Sequence, residues 1–143
     1  MVVLYIIPEP LHPAIVHVPV ALWVVGTLFV LLSLWRPWFY DRAALWVVTI
    51  GTIGGIISYQ SGEAAVGTAI QIYGDSVGEF LGLHQQFALY SLITYIILNI
   101  GIAFNIIKDS TYIRWGLALL AVLGAVFVFL TGHYAGRMMY DGI

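Results

Sequence analysis

The sequence contains no cysteine. That excludes disulfides, thiolate zinc, thiolate-bound iron–sulfur clusters and covalent attachment of haem through a CxxCH pair, so any metal must be held by nitrogen or oxygen. Charge is nearly as scarce: 8% of the 143 residues are Asp, Glu, Lys or Arg, with a formal net charge of -2. No basic face could hold nucleic acid and no run of like charge reads as a solvated tail, so nucleic acid is not expected as a partner. Also missing are a phosphate-binding glycine loop, a serine nucleophile beside a base, and a carboxylate pair placed for acid–base work. Hydrolysis is therefore not expected, and the chain reads as a carrier or a scaffold rather than an enzyme with its own substrate.

What remains is apolar. Hydrophobic residues make up 62% of the chain and the mean hydropathy is +0.99, which leaves too little polar surface for a soluble domain. The expected class is all-α, an integral membrane protein whose partner is the lipid bilayer. Apolar stretches of about 20 residues or more give room for four spanning helices in one domain, 1–143. No Lys or Arg precedes the first apolar run, so a cleavable signal peptide is not expected.

Residues 1–12, MVVLYIIPEPLH, are apolar but interrupted by proline, and read as an extended arm along the membrane rim. Pro13 suits a first helical turn, so the first helix is expected at about 13–35, with a local distortion beside His17 where Pro19 cannot donate to the Ile15 carbonyl. RPWFYDR, residues 36–42, has the arginines and aromatics of a membrane boundary. A second helix is expected from about Ala43 to Tyr59 with an extension to Val66, that is 43–66, carrying Gly51, Gly54 and Gly55. Residues 60–83 mix small, acidic and glycine positions and read as a long outer loop. The third helix, at about 84–107, keeps His84, Ser91, Tyr95 and Asn99 at helical spacing on one side, which should face protein rather than lipid. KDSTYIR, residues 108–114, is a second basic turn, and the fourth helix is expected at about 115–131.

Of the five basic residues, Arg36, Arg42, Lys108 and Arg114 lie in the two short connections, together with Trp35, Trp38, Trp46 and Trp115 nearby. The positive-inside rule makes those connections cytoplasmic and puts both termini on the outer, non-cytoplasmic side of an antiparallel four-helix bundle. All four histidines, His12, His17, His84 and His133, then fall in one outer layer, with Glu63 beside them if the second helix reaches it. Intramembrane histidines are functional candidates by default.

A b-type haem needs axial imidazoles, apolar walls and a cation for its propionates. On this reading one or two haem b groups are bound: His17 and His84 ligate one iron, His12 and His133 a second, and Arg137 neutralises propionate charge, with the glycines around 74–82, Gly132 and Gly136 packed close to the ring. A metal site of three imidazoles and Glu63 for zinc, copper or iron uses the same residues, though no HxxxH or HExxH pair is present. The plainer alternative is histidines that only hydrogen-bond, in a structural subunit of a membrane complex. Arg137 then snorkels to headgroups, and Gly132-x-x-x-Gly136 is a packing motif. For a carrier, quinol on one side and a soluble redox protein on the other are the expected partners. Homo-oligomerisation and membership of a larger complex are both compatible with the sequence.

The element LHPAIVHVPVAL, with the closing TGHYAGRMMYDGI, resembles a family of small bacterial and archaeal four-helix membrane proteins catalogued as a domain of unknown function. The family's L-H-P-x-x-V-H-x-P-x-A-L pattern falls on His12, Pro13, His17 and Pro19, its third-helix histidine on His84 in HQQFALY, and its ending on Gly132, Gly136 and Tyr140. Ala135 stands where relatives often carry glycine, so the ending is only partly met. The resemblance covers nearly the whole chain and implies a multi-pass protein of a prokaryotic cell membrane. Relatives joined to periplasmic cytochrome c or Rieske-type domains imply electron transfer at the outer face, here with a separate redox partner.

Overall fold

The structure, a computed structural model, describes residues 11–74 and 78–140; of the arm expected over 1–12, all but Leu11 and His12 lies outside them. The described chain is helical: α1 (His12–Ile15), α2 (His17–Ser33), α3 (Pro37–Tyr73), α4 (Gly78–Lys108) and α5 (Thr111–Tyr140). Four helices are long and apolar enough to cross a membrane, α1 and α2 together counting as the first.

The chain keeps helical dihedrals at Val16, between α1 and α2 (φ -61°, ψ -28°), and the local weakening there follows from Pro19, whose missing N–H leaves the Ile15 carbonyl without its helical donor. The next bond, from the Val20 N–H to the Val16 carbonyl, is stretched to 3.4 Å. Elsewhere the helices are longer than the sequence suggests. Pro37 opens α3 at its first turn, so most of the expected 36–42 loop is already helix. The helix then runs through the expected outer loop as far as Tyr73, and Gly74 ends it with φ 81° and its N–H on the Ile70 carbonyl at 2.8 Å. With 37 residues α3 is about 55 Å long, against a hydrocarbon layer of about 30 Å. The fourth span likewise continues to Tyr140, and His133 lies within α5 instead of after it.

Two tight hairpins, α2–α3 and α4–α5, pack side by side, and contacts of α3 with α4 and of α2 with α5 close the bundle. The α4–α5 turn is short because Asn105 caps it, its Oδ1 accepting from the Ser110 N–H at 3.1 Å while Asp109 takes φ 47°. Glycine sets the closeness of the first hairpin. A Cβ at Gly51 or Gly55 would run into the Trp23 ring, at 3.0 Å and 2.5 Å, so Trp23 lies in a groove on α3.

Trp23 also stacks on Tyr95 of α4, with ring centres 4.7 Å apart and planes 3° apart. Tyr95 is fully buried, and its hydroxyl is 2.7 Å from the Thr27 hydroxyl and 3.2 Å from the Trp23 carbonyl, with the Ala121 carbonyl of α5 accepting from Thr27. This node ties α2, α4 and α5 together where no water could satisfy the hydroxyls. Ser91 is buried as expected for the polar side of α4, and Asn99 accepts from Thr49 of α3 at 3.1 Å.

The other four tryptophans, Trp35, Trp38, Trp46 and Trp115, are exposed towards the end that carries the arginines. There Arg114 is buried and bonded to Asp41 at 3.1 Å and Asp109 at 2.9 Å. The sequence suggests a solvated basic turn at this position. Instead the guanidinium is taken inside, because Asp41 on α3 is buried with it and the two charges satisfy each other.

Candidate functional site

At the opposite end α1, which runs on into α2 in helical geometry through Val16, packs on α3, carrying His12 to the C-terminal half of α3. There Ser58, Ser61 and Gly62 fall at i, i+3 and i+4, one face of the helix. His12 Nδ1 is 2.8 Å from the Ser58 carbonyl oxygen and 3.3 Å from Ser61 Oγ, and Ser61 Oγ donates to the same carbonyl at 2.9 Å. Gly62 makes room for the ring: a Cβ there would sit 3.0 Å from His12 Cε1.

His84 opens the buried half of α4 and turns towards α5, with Nδ1 2.9 Å from the Thr131 carbonyl oxygen. A carbonyl only accepts, so each Nδ1 carries the proton and each Nε2 is left with its lone pair. Proteins fix metal-ligating histidines in this way, by tying the far ring nitrogen to a carbonyl or carboxylate. The two ring planes are perpendicular, at 89°, with centres 6.2 Å apart.

Two apolar cavities flank the pair. One, of about 260 Å³, opens between α3 and α4 and is lined by both histidines, Tyr59, Ala65, Ala69, Leu81, Ala88 and the buried Met138. The other, of about 50 Å³, lies deeper and adds Pro19, Val20, Trp23, Ser58 and Val128 to both histidines. Ser58 Oγ is buried there without a hydrogen-bond partner among the described residues, a polar atom facing a cavity otherwise lined mainly by apolar side chains.

The pairing expected of His17 with His84, and of His12 with His133, is not the arrangement found. His84 stands beside His12, while His17 and His133 are both exposed. His133 belongs instead to an aromatic cluster, its ring 5.3 Å from Tyr134 and 6.5 Å from Phe129. Arg137 is also exposed, with its guanidinium 5.0 Å over the Phe80 ring, and Glu63 is exposed on α3. Among the described residues no group of three or more His, Cys, Asp or Glu is placed to hold a metal ion, so the site of three imidazoles and Glu63 is not assembled. Nor do Gly74, Gly78, Gly82, Gly132 or Gly136 sit against any neighbour, since a Cβ at each would meet open space. Close approach falls instead at Gly26, Gly51, Gly55, Gly62, Gly101 and Gly124, of which Gly62 lies against His12.

Four parts of the site escape sequence reasoning: the Ser58 and Thr131 carbonyls, Gly62 and Met138. One signal was available, the stripe Gly51, Gly55, Ser58, Gly62, Ala65 and Ala69 at alternating spacings of four and three. It shows the helix continuing through the supposed loop with a small-residue face towards its neighbour.

No curated protein and no solved structure matches this chain. Residues 8–142 match the family model described as "Predicted membrane protein (DUF2231)", almost the full length of a chain whose four spans and apolar surface fit that description, and the chain therefore belongs to the DUF2231 family.

Proposed function

We propose that the protein is a b-type cytochrome of the cell membrane that binds one haem between His12 and His84 and passes electrons near the outer surface. The observation that carries this reading is the pair itself: two imidazoles on different helices, each with Nδ1 tied to a carbonyl and Nε2 free, at 6.2 Å between ring centres. That spacing leaves room for one metal ion between the two rings, which would hold it. A site with only two protein ligands suits an iron whose other four positions are filled by a porphyrin. The flanking cavities are apolar, as porphyrin walls must be.

When bound, haem supplies one-electron chemistry. His12 and His84 would hold it, and the Ser58 and Thr131 carbonyls would fix both imidazole planes and raise the basicity of each Nε2, which tunes the potential. Trp23 and Val128 close the deep side against water. By the positive-inside rule the arginine end faces the cytoplasm and the histidine end faces outward, with both termini. A site confined to one leaflet favours a relay along or out of the outer surface, to a separate redox protein.

One observation favours a second reading. Met138 is buried in the same cavity as the two histidines, and two imidazoles with a thioether form a soft donor set suited to copper(I).

The test is an optical spectrum of the detergent-purified protein, oxidised and then dithionite-reduced, with haem counted per chain. Sharp low-spin α and β bands at one haem per chain, lost in His12→Ala and in His84→Ala but kept in His17→Ala and His133→Ala, are expected. A colourless protein expressed with ample haem overturns the haem reading, and metal analysis then separates copper from a purely structural histidine pair.

A further inference from the structure

His17 and His133 lie outside the paired site, yet both are exposed at the same end of the bundle. His133 lines an open groove of about 510 Å³ formed by α2 and α5. The other lining side chains are apolar, among them Val20 and Val24 on α2 and Phe129 on α5, and Gly132 leaves open space in it. His17 is three and seven residues before Val20 and Val24, which places it on the same side of α2, above the groove.

The groove also borders the paired site. Val20 and Val128 line both it and the deep cavity that His12 and His84 share. Two valine side chains thus separate a membrane-facing groove from the imidazole pair.

We propose that this groove binds an isoprenoid hydroquinone, with His17 and His133 accepting hydrogen bonds from its ring hydroxyls. Each part of that molecule has a counterpart here. The prenyl tail and the flat ring reach the groove from the bilayer and need apolar walls with an aromatic face, which Val20, Val24 and Phe129 supply. The volume lies within the ~300–1,000 Å³ range of small-molecule sites. The two hydroxyls need acceptors in an otherwise apolar place, and imidazole is the side chain that accepts a proton near neutral pH. A phospholipid acyl chain would fill the same walls but would have no use for two imidazoles.

The identity of the electron acceptor rests on the haem reading. Oxidation breaks both O–H bonds of the hydroquinone and leaves a quinone with two C=O bonds. The two protons pass through the imidazoles to the outer water, and a haem held by His12 and His84 would take the two electrons one at a time, given up to the separate redox protein after each transfer.

The experiment uses the full chain in phospholipid nanodiscs, photolabelled with an azido derivative of a short-chain benzoquinone and challenged with decyl-benzoquinone. Labelling is expected on the segments 17–24 and 128–133, suppressed by the competitor. It should fall about tenfold or more, equivalent to about 1.4 kcal/mol, in Gly132→Leu, which fills the groove, and in the double variant His17→Leu/His133→Leu. It should persist in His12→Ala, which strips the haem. Labelling spread evenly over the lipid-facing helices, unchanged in both groove variants, or not displaced by decyl-benzoquinone overturns the proposal and leaves a lipid-filled groove. A colourless protein that is still labelled in the groove rejects the haem while keeping the quinone site. A haem-loaded protein without specific labelling rejects the groove alone.

Discussion

The imidazole edge of His12 lies against Gly62, so close that a Cβ at position 62 would be 3.0 Å from Cε1 and 3.1 Å from Nδ1. An added Cβ alone would ask the ring to give by a few tenths of an ångström, and a branched side chain asks for more. Gly62→Val is expected to push His12 off its hydrogen bond and to cost about 1–3 kcal/mol of stability, the usual range for overpacking. Under the haem reading, haem content per chain falls with it. The measurement is haem content and the thermal unfolding midpoint in the same preparation. Full retention of both would show that the ring is not held from this side.

The Tyr95 hydroxyl joins α4 to α2 through Thr27 and the Trp23 carbonyl, and Thr27 donates in turn to the Ala121 carbonyl of α5. Hydrogen bonds between membrane helices average about 0.6 kcal/mol and reach about 1.7 kcal/mol. Tyr95→Phe keeps the stack on Trp23 and should cost an amount in that range. Tyr95→Ala also empties a fully buried ring position and should cost about 3–5 kcal/mol. Unfolding in mixed micelles compares the two, and equal losses would mean that the hydroxyl, not the ring, carries the node.

At the opposite end Arg114 has two carboxylate partners in different surroundings. The Asp41 side chain is 11% exposed and the Asp109 side chain 82% exposed. Breaking the buried pair with Asp41→Ala strands the guanidinium and is expected to cost about 3–5 kcal/mol. Asp109→Ala, screened by solvent, should cost no more than about 1 kcal/mol. The double variant Asp41→Leu/Arg114→Met should recover most of the loss, because an apolar replacement of a buried pair is often neutral. Chemical unfolding of the three variants beside the unmodified protein is the check.

The absence of cysteine makes sidedness directly measurable. Glu79 and Thr111 are both exposed and lie near opposite ends of the bundle. Glu79→Cys should react with a membrane-impermeant maleimide on intact cells, and Thr111→Cys only after permeabilisation. The reverse pattern would invert the proposed orientation and put the histidine pair on the cytoplasmic side.

Much of this molecule is legible in one dimension. Four apolar stretches of bilayer length, joined so that successive spans run antiparallel, bring His12, His17, His84 and His133 to one end and four basic residues to the other, because span length and short connections leave little else for the chain to do. The polar side of α4 could be read from spacing alone, as could the four boundary tryptophans.

What only the tertiary structure decided is how each helix is rotated. His17 lies in the most distinctive element of the sequence, yet it is exposed. The first turn of the same span, before the one bond that Pro19 cannot donate, places His12 beside His84 instead. The carbonyls of Ser58 and Thr131, which fix both rings, belong to the backbone and leave no mark in residue type. Arg114 looks like one more boundary arginine until Asp41, 73 positions away in sequence, is seen to bury it. Composition and span length are set by the bilayer and can be read directly. Pairings across the bundle depend on helix rotation, which is settled by side-chain packing of residues far apart in the chain.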